Sequence, residues 1–418
     1  MASPFEDPFF DPLYGEAQLE PAIANLATRP LVQRLRHIRL SNIDSLASPG
    51  IANISRYEHA LGTAILAANT SFSQRVEPHL RLSFAAAALI HDTAITPFGH
   101  LMEEALFYSQ ADYHHESKWS LLREGHSGAE PGGVNLQLYL GLQSGLRDWA
   151  EKFFGADASA IIEGIVDGIQ GKGRFGPGIA GEIDLDNLDN VTRAAFHIGL
   201  SVDRKLPLRI AECLEDVGET GAVFSDRVLD WINEWLVLRE QVYSRFMLPV
   251  PDFSGKLMLL FCMVHALKAG RITETSWNLT DGQLLEVLSK SEQDEISNTI
   301  RRWLIADLWD VSDLIWFEGS PPSFAALNSY ATDLSSALSR TCFAYRIKDK
   351  RKRRIELLLS SGRRMILGEN PCQWLFGVGS PIKKPFSAKE NRTIIELARG
   401  HFNAELMAAA DHSSSLFA

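Results

Sequence analysis

An apolar run without any polar side chain, residues 84–90, ends directly in a histidine and an aspartate, His91 and Asp92. The run contains phenylalanine, four alanines, leucine and isoleucine, and therefore predicts a helix buried in the core. Ionisable side chains rarely follow such a buried segment unless they are paired or bind a metal ion. Because a neutral imidazole and a carboxylate are both ligands for divalent cations, the pair predicts a metal site.

Two other segments contain residues that can complete this site. Upstream, Arg56 and His59 begin a helical stretch and lie three residues apart, so they share one helix face. Downstream, Asp186 lies at the start of another predicted helix. The predicted ligands are two imidazoles and two carboxylates, His59, His91, Asp92 and Asp186. This set suits manganese, iron, cobalt, nickel, zinc or magnesium and leaves the identity of the metal open.

These residue types indicate hydrolysis of a phosphate ester or anhydride. A divalent ion neutralises charge that develops on phosphorus and lowers the pKa of bound water. Arg56 can donate charge-assisted hydrogen bonds to a phosphate oxygen. His115 can act as a general acid near neutral pH, and Glu116 can orient it.

The order of these motifs resembles the HD phosphohydrolase superfamily, in particular its dNTP triphosphohydrolase branch. The similarity covers roughly the first half of the chain, in segments 11–15, 33–38, 56–62, 91–92 and 97–100. It implies a mostly α fold, an HD-type helical domain with a helical extension and a small C-terminal subdomain. It also implies that the four predicted ligands bind the metal, that Arg56 and His100 contact phosphate, and that His115 and Glu116 lie beside the reacting phosphate. The implied products are a nucleoside and inorganic triphosphate, and the implied assembly is a homo-oligomer.

The chain departs from this branch at several positions. Ile95 replaces a histidine that takes part in proton transfer, so either His115 has that role alone or the chemistry differs. Asn187, Asn190 and Ala194 replace a lysine, a tyrosine and an aspartate. The substrate is therefore expected to be a nucleotide or another phosphate ester in an altered pocket, with Asn187 and Asn190 among its contacts.

Other interpretations of the same residues stay open. A single helical histidine such as His59 is more often a packed core or surface residue, and Arg56 can simply pair with a nearby acid such as Glu58. His115 can cap the following helix, and His114 competes for its role. At the level of function, one alternative is a catalytically weak nucleotide-binding sensor or scaffold, and another is a phosphodiesterase or nuclease on short nucleic acid.

Composition narrows the classes of partner. The formal net charge of -11 and the pI of about 5.6 argue against broad binding to nucleic acid or to an anionic membrane. The four cysteines are far apart in the sequence, as in proteins of a reducing compartment. The N terminus is acidic where a signal peptide is basic, and the apolar run 257–267 is too short to cross a bilayer. A cytoplasmic protein without a membrane partner is expected.

Three domains are predicted along the chain. Residues 1–205 form the HD-type core with an N-terminal lead-in, residues 206–340 form a helical extension that encloses the site, and residues 341–418 form the C-terminal subdomain. Short strands are expected within 342–368. The basic run 348–354 predicts a solvated turn, with contact to an effector nucleotide or a neighbouring subunit as the alternative.

Overall fold

The computed structural model describes residues 7–41, 45–109, 113–117, 146–218, 221–247, 249–369 and 372–409. The fold is mostly α, as predicted. The helices are α1 (Pro21–Ala27), α2 (Pro30–Gln33), α3 (Pro49–Ala52), α4 (Arg56–Ala68), α5 (Ser71–Arg75), α6 (Pro78–Ile90), α7 (His100–Tyr108), α8 (Arg147–Phe154), α9 (Ala158–Ile169), α10 (Gly176–Ile179), α11 (Leu185–His197), α12 (Leu206–Glu212), α13 (Leu229–Met247), α14 (Val250–Lys268), α15 (Asp281–Ser289), α16 (Asp294–Leu304), α17 (Phe324–Leu338) and α18 (Ala388–Phe402).

The strands form a hairpin and two four-stranded sheets. They are β1 (Phe9–Asp11), β2 (Gly15–Ala17), β3 (Leu214–Gly218), β4 (Gly221–Phe224), β5 (Ile315–Glu318), β6 (Phe343–Lys348), β7 (Ile355–Leu359), β8 (Arg364–Leu367), β9 (Gln373–Gly379) and β10 (Glu405–Ala409). One sheet has the order β10-β5-β9-β6 and is antiparallel throughout, with Arg346 opposite Phe376. The other has the order β3-β4-β7-β8, and its β4–β7 pair is parallel.

The three helices that supply the candidate ligands start with ordinary helix-capping devices. The Ser55 hydroxyl accepts a hydrogen bond from the Glu58 amide at 3.2 Å and caps α4. The Asp184 carboxylate accepts from the Asn187 amide at 2.6 Å and caps α11. Helix α6 has Pro78 at its first position and buries residues 83–90, so the predicted buried helix is present and ends directly before His91.

The apolar interior consists of two clusters that do not follow the predicted domain boundaries. The first cluster contains α4, α6, α9 and α11, together with Ile355 and Leu357 from the predicted C-terminal subdomain. The second contains α14, β5, β6 and β9, together with Phe98 and Leu101 from the predicted HD-type core. The boundaries at residues 205 and 340 therefore stay predictions, and the two clusters are the observed units of packing.

Two regions differ from the sequence-based expectation. The region 206–340 is not entirely helical, because it contains the β3–β4 hairpin and β5.

Helix α14 is longer than the apolar run 257–267. By length and composition its 19 residues could cross a membrane, but 78% of its most apolar window is buried in the fold. It packs against α7 and α16 in the second cluster, which accounts for its composition.

Candidate metal centre

The structure brings the predicted ligands together from three helices. His59 lies on the first turn of α4, His91 and Asp92 directly follow α6, and Asp186 lies on the first turn of α11. His59 Nε2 is 3.1 Å from Asp186 Oδ1, and His91 Nε2 is 3.7 Å from the same oxygen. One ligand atom each from His59, His91 and Asp186 lies within 4.8 Å of the others. Asp92 Oδ2 is 3.5 Å from His91 Nε2 and 4.0 Å from His59 Nε2.

The hydrogen bonding of the two imidazoles tests whether this set fits a metal. The Nδ1 atoms are occupied, at 2.7 Å from Asp189 Oδ2 for His59 and at 2.8 Å from the Ala88 carbonyl oxygen for His91. The Nε2 atoms of both rings are buried and make no hydrogen bond of normal geometry within the described ranges, although Asp186 Oδ1 lies 3.1 Å from one and 3.7 Å from the other. An Nδ1–H that donates to an oxygen leaves the Nε2 lone pair free for a metal. The donor set therefore fits a divalent cation.

The carboxylates around His59 and His91 favour positive charge between the two rings. Burial alone would lower the pKa of His91, but Asp92 and Asp186 outweigh burial and raise its pKa to about 9. The pKa of His59 is likewise raised, against the effect of burial, by Asp186 and Asp189. Asp92, Asp186 and Asp189 thus favour positive charge at the two imidazoles. A divalent cation would supply such charge, and its binding is linked to deprotonation of the histidine ligands.

A buried network behind His59 fixes its ring. Asp189, which accepts from His59, also accepts two hydrogen bonds from Arg193 at 2.9 Å and one from the Tyr14 hydroxyl at 2.7 Å. Arg193 lies 3.1 Å from Asp11 as well. Asp11 and Tyr14 come from the segment 11–15 at the N terminus. This segment thus supports the metal centre without contacting it.

Asp189 and Arg193 were not among the predicted site residues, although their spacing in the sequence indicated a shared helix face with Asp186. Asp189 follows Asp186 by three residues and Arg193 follows Asp189 by four, spacings that place side chains on one helix face. Gly62 provides a second signal, because a Cβ at this position would lie 2.1 Å from Asp189 Oδ1 and 2.2 Å from Arg193 Nη2. Helix α4 can approach this network closely only because residue 62 has no side chain.

Arg56 pairs with an acid, as the alternative interpretation expected, but this acid is the candidate ligand Asp92 and not its chain neighbour Glu58. Glu58 instead accepts from Arg193 at 2.6 Å. Arg56 Nε and Nη2 donate to two backbone carbonyl oxygens of the segment before α4, at 3.2 and 3.1 Å. Gly99, at a φ of 58°, makes room for this guanidinium, since a Cβ there would lie 2.5 Å from Arg56 Nη2.

A single carboxylate orients the two predicted phosphate-site histidines. Glu103 accepts from His100 Nδ1 and from His115 Nδ1, each at 2.7 Å. Burial disfavours the charged form of His115, but Glu103 and then Asp92 outweigh burial and raise its pKa. His115 Nε2 is 3.7 Å from Asp92 Oδ1 and 3.5 Å from Glu116 Oε1. Glu116 therefore lies at the opposite side of the ring from the orienting carboxylate, and His114 is exposed beside Phe107.

A cavity of about 490 Å³ opens beside the metal centre. Arg56, Asp92, His100, Asp186, Asn187 and Asn190 are among its lining residues. The Asn187 amide is already engaged, since Nδ2 donates to Asp184 at 2.8 Å and Oδ1 accepts from Arg239 at 3.2 Å. Ile95 does not reach the cavity lining and is fully buried in the first apolar cluster, with no exposed surface.

Comparisons with known proteins place these observations in context. No family model matches the chain. An uncharacterized protein of Methanocaldococcus jannaschii is 23% identical over 280 residues, which are 66% of this chain and 53% of that protein. The deoxynucleoside triphosphate triphosphohydrolase SAMHD1 of Bos taurus is 28% identical over 49% of this chain, and that of Danio rerio is 32% identical over 23% of it. The matched regions span about half of the M. jannaschii protein but only 38% and 16% of the two SAMHD1 chains.

A solved structure shares the fold over most of the chain. The crystal structure of a phosphohydrolase from Bacteroides thetaiotaomicron superimposes with a TM-score of 0.63 at 17% identity. The superposition covers 90% of this chain and 100% of the other. The likeness therefore extends through the helices and sheets that follow the ligand-bearing helices.

Proposed function

We propose that this chain, which is related to the HD-domain phosphohydrolases, is a metal-dependent phosphohydrolase that acts on a nucleotide. The observation that carries the proposal is the pair of buried Nε2 atoms, on His59 and His91, that face Asp186 at 3.1 and 3.7 Å and make no hydrogen bond of normal geometry in the described part of the chain. A cavity large enough for a small ligand opens next to them and contains Arg56 and His100.

In the proposed mechanism His59, His91, Asp92 and Asp186 hold one divalent cation. When bound, the cation supplies Lewis acidity and neutralises charge that develops on the phosphate. Arg56 uses three of its five N–H donors for Asp92 and the two carbonyl groups. Its remaining donors can bind a non-bridging phosphate oxygen, and the ion pair with Asp92 keeps the guanidinium beside the metal centre.

His115 is the proposed general acid. Glu103, against the effect of burial, raises the pKa of His115 and so favours the protonated ring, and it holds Nδ1 so that Nε2 faces the reaction site. Nε2 is then the atom that gives a proton to the leaving oxygen. Ile95 is buried, and its side chain cannot donate a proton. His115 therefore has this role without the second histidine that the resembled branch has in place of Ile95.

The finer proposal is that the products are a nucleoside and inorganic triphosphate. Support comes from the resemblance of the ordered motifs and from the relatives named as deoxynucleoside triphosphate triphosphohydrolases. We expect the contacts to base and sugar to differ from those of the resembled branch, because the Asn187 side chain is hydrogen-bonded to Asp184 and Arg239, whereas Asn190 lines the cavity.

The second candidate is a catalytically weak protein that binds nucleotide as a sensor. It is favoured by one observation, the burial of Ile95 in the core where the resembled branch has a proton-transferring histidine. In this case nucleotide binds at the same cavity and no product is released.

A metal and substrate screen separates the two candidates. Purified protein is loaded with each candidate divalent metal, its metal content is measured, and it is incubated with dNTPs, NTPs, cyclic dinucleotides and short oligonucleotides. Release of triphosphate supports the finer proposal, and tight binding without product supports the sensor. Asp186→Ala and His91→Ala should abolish both bound metal and turnover, whereas Asp333→Ala, a 59% exposed carboxylate on α17, should keep both. Full turnover in the two ligand variants would refute the assignment of the site.

A further inference from the structure

A buried carboxylate, Asp281 at the first position of α15, joins two segments that lie far apart in the sequence. Its Oδ2 accepts a hydrogen bond from the Arg39 amide at 2.9 Å, and its Oδ1 accepts one from the Phe98 amide at 2.7 Å. The residue is 5% exposed and is not among the residues that line the cavity. Because each oxygen holds a different amide, the carboxylate fixes the distance between the backbones at residues 39 and 98.

These two segments also hold the guanidinium of Arg56. On one side, the carbonyl oxygen of Arg39 accepts from Arg56 Nε at 3.2 Å, and that of Leu40 accepts from Nη2 at 3.1 Å. On the other side lies Gly99, the residue after the second amide, where a Cβ would be 2.5 Å from Arg56 Nη2. The guanidinium thus occupies a slot between the two segments, and Asp281 sets the width of that slot.

Arg34 ties this part of the chain together at a second point. Its guanidinium is fully buried and donates to the carbonyl oxygens of residues 277–279, just before α15, at 2.6–2.9 Å. It also donates to the carbonyl oxygens of Thr93 and Ile95, at 3.3 and 2.9 Å. Thr93 directly follows the candidate ligand Asp92. The chain just before α15 is therefore bonded to the loop that continues from the metal ligands.

The ion pair between Arg56 and Asp92 cannot orient the guanidinium by itself. It engages Nη1 alone, so the group would be free to rotate about this contact and move its other nitrogens. The two carbonyl groups engage Nε and Nη2 and thereby stop this rotation. In a reacting site, a misplacement of about 1 Å is enough to lower the rate about 100-fold. The orientation of Arg56 therefore depends on the segments that Asp281 holds.

We infer that Asp281 is a positioning residue for Arg56 and acts on the phosphate site without contacting a ligand. The inference rests on the proposed function, in which Arg56 binds a phosphate oxygen. Helix α15 belongs to the second apolar cluster through Leu284 and Leu288, whereas Arg56 lies on α4 in the first. The second cluster therefore does more than enclose the site, because its packing sets the geometry of a group beside the metal centre.

A double-mutant cycle of Asp281 and Arg56 tests the inference. Asp281→Asn keeps the shape, but it has one acceptor oxygen for two amides, so one of the two segments is released. The Kd for inorganic orthophosphate is measured calorimetrically on the full chain as purified, and the bound metal is determined in each variant. Asp281→Asn should raise this Kd about three- to tenfold, and Arg56→Ala should raise it about tenfold or more.

The decisive quantity is the effect of Asp281→Asn in protein that lacks Arg56. If Asp281 acts through Arg56, the substitution should change the Kd of the Arg56→Ala protein by less than about twofold. An equal fold-loss in both backgrounds would show that Asp281 supports the fold in general and would overturn the inference. Unchanged orthophosphate binding in Arg56→Ala would overturn it as well. If Asp281→Asn does not fold, Asp281→Ser replaces it, because a hydroxyl still accepts from one amide.

Asp252→Asn is the matched control, because this buried acid holds another segment in the same way. Asp252 lies on the first turn of α14, is 1% exposed, and accepts from the Ser45 hydroxyl at 2.6 Å and the Leu46 amide at 2.9 Å. The carbonyl groups that hold Arg56 belong to residues 39 and 40 and not to this segment. Asp252→Asn should destabilise the chain towards urea, and its effect on the Kd for orthophosphate should be the same with and without Arg56. A coupling to Arg56 as large as that of Asp281→Asn would contradict the inference.

Failure of the inference and failure of the proposed function give different results. If the cycle shows coupling and wild-type protein hydrolyses no nucleotide, the inference stands and the proposed function fails. If wild-type protein hydrolyses a nucleotide and Asp281→Asn keeps both orthophosphate affinity and turnover, the inference fails and the proposed function stands.

Discussion

The Nδ1 atom of His59 lies 2.7 Å from Oδ2 of Asp189, a fully buried carboxylate on the same helix as the candidate ligand Asp186. Arg193 outweighs the effect of burial and, together with the His59 hydrogen bond, lowers the pKa of Asp189 to about 2, so the group is an anion at neutral pH. An anionic acceptor fixes the tautomer of His59 and increases the basicity of its Nε2.

Replacing this acceptor should weaken the metal site without removing a ligand. Asp189→Asn keeps the shape but loses the charge, and metal affinity should fall about 10- to 100-fold. Competition with a chromophoric chelator measures the change. Asp333→Asn, at the exposed carboxylate on α17, serves as the control and should leave affinity unchanged. Unaltered affinity in Asp189→Asn would show that the network has no part in metal binding.

The close approach of α4 to this network gives a steric prediction. Gly62→Ala would place a Cβ 2.1 Å from Asp189 Oδ1 and 2.2 Å from Arg193 Nη2, and neither side chain can move freely because both are fully buried. We expect a loss of about 1–3 kcal/mol in the free energy of unfolding, with weaker metal binding.

Gly400→Ala is the matched control, because it lies in α18 and a Cβ there meets nothing within 4 Å. It should be neutral or stabilising by up to about 1 kcal/mol. Urea unfolding of both variants tests the comparison. Equal stability changes in the two variants would contradict the steric argument.

The sequence predicted the helices of the site better than their surroundings. The apolar run before His91 and the spacing of Arg56 and His59 are local patterns, and the structure contains both helices. The role of Glu103 was missed because Glu116 is adjacent to His115 in sequence, whereas Glu103 reaches it from α7. Chain neighbours are visible in a sequence, but a contact between separate elements is not.

The basic run 348–354 shows the same limit more clearly. A basic run of this kind is usually a solvated turn, and Lys352 follows that rule by pairing with Glu369 at an exposed position. Lys348 and Lys350 do not, because the pairing of β6 with β9 places the end of the strand over α7 and the cavity. Only the sheet register decides which lysines of the run face the site.

The two carboxylates beside His115 can be distinguished by substitution. Glu103→Gln has one acceptor oxygen for two Nδ1–H donors, so at least one of His100 and His115 loses its hydrogen bond. We expect kcat to fall about 10- to 100-fold with metal content unchanged. Glu116→Gln should have a smaller effect, because Glu116 lies 3.5 Å from Nε2 and does not hold the ring. A larger loss in Glu116→Gln would reverse the two roles.

Helix α14 contains a histidine that should make stability depend on pH. His265 packs against the Phe261 ring at 4.0 Å, and burial, followed by repulsion from Lys268, lowers its pKa to about 4. Glu295, at 3.9 Å, is the acid that faces it. In the unfolded chain the imidazole takes up a proton near its ordinary pKa of about 6.5, but in the folded chain it does so only near pH 4. Its contribution to stability is therefore complete above about pH 6.5, falls as the pH is lowered, and levels off below about pH 4.

His265→Gln removes this titration, because glutamine is neutral at every pH. Between about pH 7.5 and 5, wild-type protein should lose about 1–2 kcal/mol more stability than the variant, a value reduced for the partial exposure of the side chain. Urea unfolding at the two pH values measures the difference, and the carboxylates that titrate in both proteins cancel from it. If the free energy of unfolding fell equally with pH in the two proteins, His265 would bind its proton equally well in the folded and the unfolded chain. That result would contradict the burial of His265 on α14.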